Sequence, residues 1–111
     1  MSGMFEIKKA KDGEFYFDLK AGNGQIILAS EMCVGKSSAE NGIESVKKNA
    51  PIDAHYDRKE AKNGQPMFNL KAANHQVIGT SETYTTTSAR EAGIELVKTN
   101  APKAPIHDLT T

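Results

Sequence analysis

The stretch Ala39-Glu40-Asn41-Gly42-Ile43-Glu44-Ser45-Val46-Lys47-Lys48-Asn49-Ala50-Pro51 returns 51 residues later as Arg90-Glu91-Ala92-Gly93-Ile94-Glu95-Leu96-Val97-Lys98-Thr99-Asn100-Ala101-Pro102. The match extends well beyond this segment. Residues 5–51 lie on residues 56–102 without a gap, and 23 of the 47 aligned positions are identical. Chance does not produce such a run. The chain is two copies of one unit of about 50 residues, and a unit of that size buries too little surface to be stable alone.

Both quoted stretches read as helices. Ile43, Val46 and Ala50, and again Ile94, Val97 and Ala101, recur at helical spacing, and Pro51 and Pro102 end each run. Ser37-Ser38-Ala39-Glu40 and Ser88-Ala89-Arg90-Glu91 have the form of capping boxes, serine accepting from the backbone and glutamate reaching back. Gly42 and Gly93 sit inside the helices at a propensity cost of about 1 kcal/mol each. A close approach of helix to sheet accounts for keeping them.

Ahead of each helix lie three strands. Phe15, Phe17, Leu19 and Ala21 alternate with Tyr16, Asp18 and Lys20, as do Phe68, Leu70 and Ala72 with Met67, Asn69 and Lys71. Asp12-Gly13, Asn23-Gly24, Asn63-Gly64 and Asn74-His75 mark hairpin turns, read as two-residue turns with positive φ at both positions. Pro66 stands where the first copy has Phe15, which suits only the start or the edge of a strand. Residues 52–61 contain no turn signal and are expected as one long strand shared by the two units. Residues 104–109 leave room for a last short strand.

The whole chain has 111 residues with 14 basic and 14 acidic side chains, a formal net charge of zero. That balance argues against an electrostatically driven grip on nucleic acid or anionic lipid. The longest apolar run, Ile26-Ile27-Leu28-Ala29, is far short of the ~20 residues a spanning helix needs. Met1-Ser2-Gly3-Met4 has no secretory character, so a cytoplasmic location and no membrane partner are expected. The single cysteine, Cys33, excludes an internal disulfide and a thiolate-only zinc site.

The stretches Phe5-Glu6-Ile7, Phe17-Asp18-Leu19-Lys20-Ala21, Asn23-Gly24-Gln25-Ile26-Ile27, Ser30-Glu31 and the helix quoted above resemble the YegP-like family of small uncharacterised bacterial proteins. The resemblance covers nearly the whole chain, twice. It implies β(3)-α-β units that pair into one antiparallel sheet and exchange their C-terminal strands. It also implies that single-repeat relatives dimerise, whereas this tandem chain does so internally and is a monomer. The family brings no established activity and no agreed binding residues. Arg58 for Ile7, Pro66 for Phe15, His75 for Gly24 and Tyr84 against Cys33 are the points where the two copies diverge.

Few residues stand out chemically. Lys36 and Ser37 in the first copy, and Thr87 and Ser88 in the second, open the helices, where free N–H groups attract anions. Tyr16 with Lys20, and Met67 with Lys71, project from the second strand of each copy and form a candidate sheet-face contact for single-stranded nucleic acid or a protein. Ser30 through Ser37 lacks the leading glycine and the parallel setting of a phosphate-binding loop. Cys33 is read as an incidental thiol, since its counterpart is Tyr84. His55, His75 and His107 lie in three separate segments without metal-ligand spacing, so no metal site and no cofactor are expected. No catalytic set emerges.

These readings combine into one domain over 1–111, with repeats at 5–53 and 56–109. The expected architecture is α+β, a single antiparallel sheet of about eight strands carrying two helices, with pseudo-two-fold symmetry. Phe17, Leu19, Ile27, Ile43, Val46, Phe68, Leu70, Ile78, Ile94 and Val97 form the expected core. The expected function is a non-enzymatic binding module that presents its solvent face or a sheet edge to a protein or single-stranded nucleic acid. The alternative is a small enzyme handling anions or phosphates at the helix N-termini.

Overall fold

The computed structural model describes residues 3–110. Strands β1 (Met4–Lys9), β2 (Phe15–Lys20) and β3 (Ile26–Ala29) precede helix α1 (Lys36–Asn49). The second repeat supplies β4 (Tyr56–Glu60), β5 (Pro66–Lys71), β6 (Val77–Thr80), α2 (Thr87–Asn100) and a last strand, β7 (Ile106–Asp108). They form one seven-stranded sheet in the order β4-β5-β6-β3-β2-β1-β7. All pairings are antiparallel except that of β7 with β1, which is parallel.

The repeats meet where β3 pairs with β6, through Ala29 opposite Thr80. These two residues are equivalent under the 51-residue offset, as a two-fold axis between the strands requires. Both helices pack over one face of the sheet. Phe5, Ile7, Phe17, Leu19, Ile27 and Leu28 from the first sheet half meet Ile43 and Val46 of α1. Tyr56, Phe68, Leu70, Ile94 and Val97 are the matching set from the second half. Fully burying side chains of this size is worth about 1.5–3 kcal/mol each. Nine of the ten expected core residues are buried and Ile78 is half-buried, packed against the cluster.

Gly42 shows why a helix keeps its glycine. A Cβ there would lie 2.8 Å from Phe17 Cε2, so the aromatic ring uses the bare backbone as its packing surface. At Gly93 the neighbour is the Tyr84 ring instead.

Several sequence expectations are corrected. The sheet has seven strands because residues 55–57 are wanted twice. They are equivalent to β7 at the tail of one repeat and overlap the start of β4 at the head of the next. Residues 52–61 are likewise not one strand, since a 3-10 turn at Asp53–His55 precedes β4. The exchange of C-terminal strands therefore happens once, β7 covering β1, with no counterpart beyond β4 among the described residues.

The hairpin turns also differ. Only the second residue of each pair is left-handed: Gly13, Gly24, Gly64 and His75, at φ of 88°, 86°, 82° and 71°. In the first, Gly13 N–H donates to Ala10 O and Ala10 N–H to Glu14 O, a turn closed by a left-handed residue. The preceding side chains do the shaping. Oδ1 of Asp12, Asn23, Asn63 and Asn74 each accepts from the backbone N–H two residues on, at 2.9–3.1 Å.

The capping boxes are not formed. Helix α1 starts earlier, with Gly35 at its N-cap and no side-chain cap. In α2 the cap is Thr86, whose hydroxyl oxygen accepts from Ala89 N–H at 3.0 Å. The run Thr85-Thr86-Thr87-Ser88 offers four capping side chains, and the cap is Thr86, the extended residue immediately before the helix. Glu91, freed from capping, pairs with Arg58.

Candidate functional site

The residues at the helix N-termini are placed apart from one another, on different repeats. Lys36 is the first residue of α1, and its ammonium lies 2.7 Å from the Asp108 carboxylate of β7. That contact, with further hydrogen bonds from Thr110, holds the Asp108 carboxyl at about 2. The charge of Lys36 thus serves to fasten the last strand. Ser37, Thr87 and Ser88 are exposed.

On the sheet face away from the helices, Tyr16 and Lys20 lie on β2, and Met67 and Lys71 occupy the equivalent places on β5. Both lysines face carboxylates on the neighbouring strand. Lys20 Nζ is 2.9 Å from Glu6, and Lys71 Nζ is 3.4 Å from Asp57. The contact with the Lys20 ammonium, opposed by partial burial, pulls the Glu6 carboxyl below its usual range. Lys8 is held by Asp18 at 2.9 Å, which raises its ammonium, and Asp18 is only 4% exposed beneath it. This face carries compensated pairs in place of a basic stripe.

Two shallow clefts flank these pairs at equivalent ends of the sheet. One of 250 Å³ is lined by Met4, Glu6, Lys20 and Ala21, and one of 220 Å³ by His55, Asp57, Lys71 and His75. Among the described residues, no group of three or more His, Cys, Asp or Glu side chains is gathered for a metal ion.

The outward edges of the equivalent strands β1 and β4 are unlike. On β1, Phe5 N–H donates to Pro105 O at 2.9 Å and Ile7 O accepts from Leu109 N–H at 3.0 Å, so β7 covers that edge. Arg58 stands at the Ile7 position of β4, opposite Phe68. Both main-chain groups of Phe68 turn inward, N–H to Ser81 Oγ and C=O to Ser81 N–H, each at 2.9 Å. In an antiparallel pair, opposed residues share their orientation, so the Arg58 N–H and C=O point off the sheet. No strand lies beyond them among the described residues.

The Arg58 side chain is drawn over α2 by Glu91, with Nε–Oε2 at 2.9 Å, and by Asp53, with Nη2–Oδ1 at 3.0 Å. Lys98 reaches the same Asp53 oxygen at 2.6 Å, and Arg90 lies 3.2 Å from Glu91. These partners raise the Arg58 guanidinium and lower the Glu91 and Asp53 carboxyls. The network clamps β4 to α2 where repeat one uses Ile7 and the core. Sequence reasoning marked Arg58 only as a divergence from Ile7, and Asp53 and Asp108 carried no signal of their own.

Cys33 is half-buried beside Phe15, and burial, with Glu14 and Glu31 nearby, raises its thiol. A protonated thiol in that setting is a poor nucleophile.

Comparison with known proteins agrees with this architecture. The profile of the family described as "Domain of unknown function (DUF1508)" matches twice, over residues 10–57 and 61–108. A UPF0339 protein of Acinetobacter baylyi is 60% identical over 110 residues, covering 99% of each chain. The UPF0339 protein YegP of Escherichia coli K12 is 51% identical over 110 residues, covering 99% of this chain and all of that one. A solution NMR structure of a UPF0339 protein from Shewanella oneidensis superposes with a TM-score of 0.92 at 55% identity, covering 98% of this chain and 92% of that one. The names these relatives carry assign no activity.

Proposed function

The chain belongs to the DUF1508 family, a domain of unknown function, and from that premise we propose that it is a non-enzymatic binding module whose β4 edge receives an extended polypeptide segment. The observation that carries this reading is the contrast between the two edges. The same repeat geometry takes a parallel strand at β1, from β7, and leaves Arg58 N–H and C=O directed outward at β4. Strand addition draws its affinity from main-chain bonds of this kind and its selectivity from flanking side chains. Asp57, Arg58, Lys59 and Glu60 give the edge enough charge to discourage indiscriminate pairing.

A protein partner is favoured over single-stranded nucleic acid because Lys20 and Lys71 are already ion-paired, so a phosphate backbone must displace carboxylates to reach them. A peptide spanning residues 103–110, which contains the β7 strand that covers β1, is a suitable probe for an amide chemical-shift titration. Shifts in Tyr56–Glu60 are expected. Arg58→Pro, which removes an outward N–H that the ladder to β5 does not use, should abolish them, while Arg58→Ile should retain them. Shifts confined to Met4–Lys9 would mean replacement of the chain's own last strand and would overturn the reading. Shifts along Lys20 and Lys71 with oligothymidine would favour nucleic acid instead.

A further inference from the structure

Cys33 and Tyr84 leave equivalent points of the backbone. Cys33 N–H donates to Phe15 O and Tyr84 N–H to Pro66 O, at 2.6 and 2.8 Å, and Phe15 and Pro66 are themselves equivalent. From there the side chains do different things. The Tyr84 ring stacks on Phe68, with centroids 6.4 Å apart and planes 9° from parallel, and its phenol edge lies against bare Gly93. In the first repeat the matching Phe17 and Gly42 are present, but Cys33 supplies no ring. A cleft of 170 Å³ lies there, lined by Phe17, Ser30, Glu31, Met32, Cys33 and Gly42 and, from across the axis, by Val77 and Ile78 of β6.

The rim supports a ligand role independently of the cavity. Repeat two surrounds Tyr84 with Thr83 and Thr85. Repeat one has Met32 and Val34 at those positions, and they are 53% and 85% exposed. At the positions flanking the slot, apolar side chains thus face solvent in the repeat that lacks its own ring and threonines in the other, and Met32 lines the cleft itself.

We propose that this cleft binds a free single-ring aromatic molecule of phenol size, seated against Phe17 between Cys33 and Ile78, as Tyr84 is seated against Phe68. The volume suits the assignment, since a cavity of about 150 Å³ with an apolar lining accepts a benzene ring. Contact with the Phe17 ring, the Ile78 side chain and a neutral thiol, beside the Glu31 carboxylate, selects a planar, uncharged body over an anionic or saturated one. This site is separate from the β4 edge and does not depend on it.

The test is an amide chemical-shift titration with p-cresol, and with cyclohexanol as the saturated comparison. Saturable shifts at Cys33, Gly42 and Ile78 are expected, with cyclohexanol weaker. Cys33→Tyr should build the missing ring into the slot, weaken p-cresol binding at least about tenfold and raise the melting temperature. If that variant does not fold, Cys33→Leu fills the same space and should have the same effect on binding. Cys33→Ala, which widens the cleft, should retain binding. No saturable shift in the native chain, equal binding by cyclohexanol, or undiminished binding by the filled variant would each overturn the proposal.

Discussion

Leu28 fills the space above Gly79 that any side chain there would need: its Cδ2 and Cγ atoms lie 2.6 Å from where a Cβ on Gly79 would sit. The two residues are equivalent under the repeat, and they face each other close to the pseudo-two-fold axis. At such a place a symmetric pair of leucines collides and a symmetric pair of glycines leaves a hole. A tandem chain can assign one of each, which two identical subunits cannot do.

A transposition tests this relationship. Leu28→Gly should cost about 2–5 kcal/mol through the cavity it leaves, and Gly79→Leu about 1–3 kcal/mol through overpacking. The double variant, with leucine and glycine exchanged, should recover at least half of the summed loss. Urea denaturation of all four proteins gives the coupling directly. Strict additivity would mean that the two sites do not share one space.

The face assignment of β2 and β5 has its own check. Leu19 and Leu70 are fully buried in equivalent places, so Leu19→Ala and Leu70→Ala should each cost about 2–5 kcal/mol. Thermal melts that do not move for either would contradict it.

Helix capping separates two serine and threonine positions only two residues apart. Thr86→Ala should cost about 1 kcal/mol, because Ala89 N–H loses its acceptor, whereas Ser88→Ala should be close to neutral. The reverse order in equilibrium unfolding would restore the capping box.

The bond between Lys36 and Asp108 has a defined pH window. An aspartate is normally near 4 when unfolded, and Asp108 is held at about 2 in the fold. Its folded value is the lower one, so its contribution is present above about pH 4 and lost as pH falls through the folded value near 2. Hydrogen exchange of β7 amides should accelerate over that interval ahead of the rest of the sheet. In Asp108→Asn the acceleration should be present already at neutral pH.

The elements visible in the sequence were those written locally. The two helices with their prolines, the places of the four hairpin turns and the alternation of β2 and β5 all follow from neighbours within a few residues, and the duplication from comparing the chain with itself. What was not legible depends on where the two copies meet. Residues 55–57 are good strand sequence by either reading, and only three-dimensional bookkeeping forbids using them twice. Leu28 opposite Gly79 is meaningless until the axis between β3 and β6 is known. Cys33 against Tyr84 is plain as a difference in sequence, yet its meaning depends on Phe17 and Ile78 lying beside the missing ring. The helix-opening residues were found, but the partner that occupies Lys36 lies 72 positions away, at Asp108.

The pairing of β7 on β1 also sets an order on folding. Gly3 N–H is accepted by Asn100 Oδ1 at 2.9 Å, and Phe5 N–H by Pro105 O, so β1 is completed by residues made about a hundred positions later. A chain still being synthesised holds β1 with one edge bare through the whole of the second repeat, and contacts so distant in sequence slow the final closure. The same adjacency places β1 beside β7, the arrangement in which those two strands can be joined in one chain and a new opening made elsewhere. Opening the chain at 52–55 and joining β7 to β1 would turn that pairing into a local one and leave β3 on β6, at the centre of the sheet, as the pairing made last.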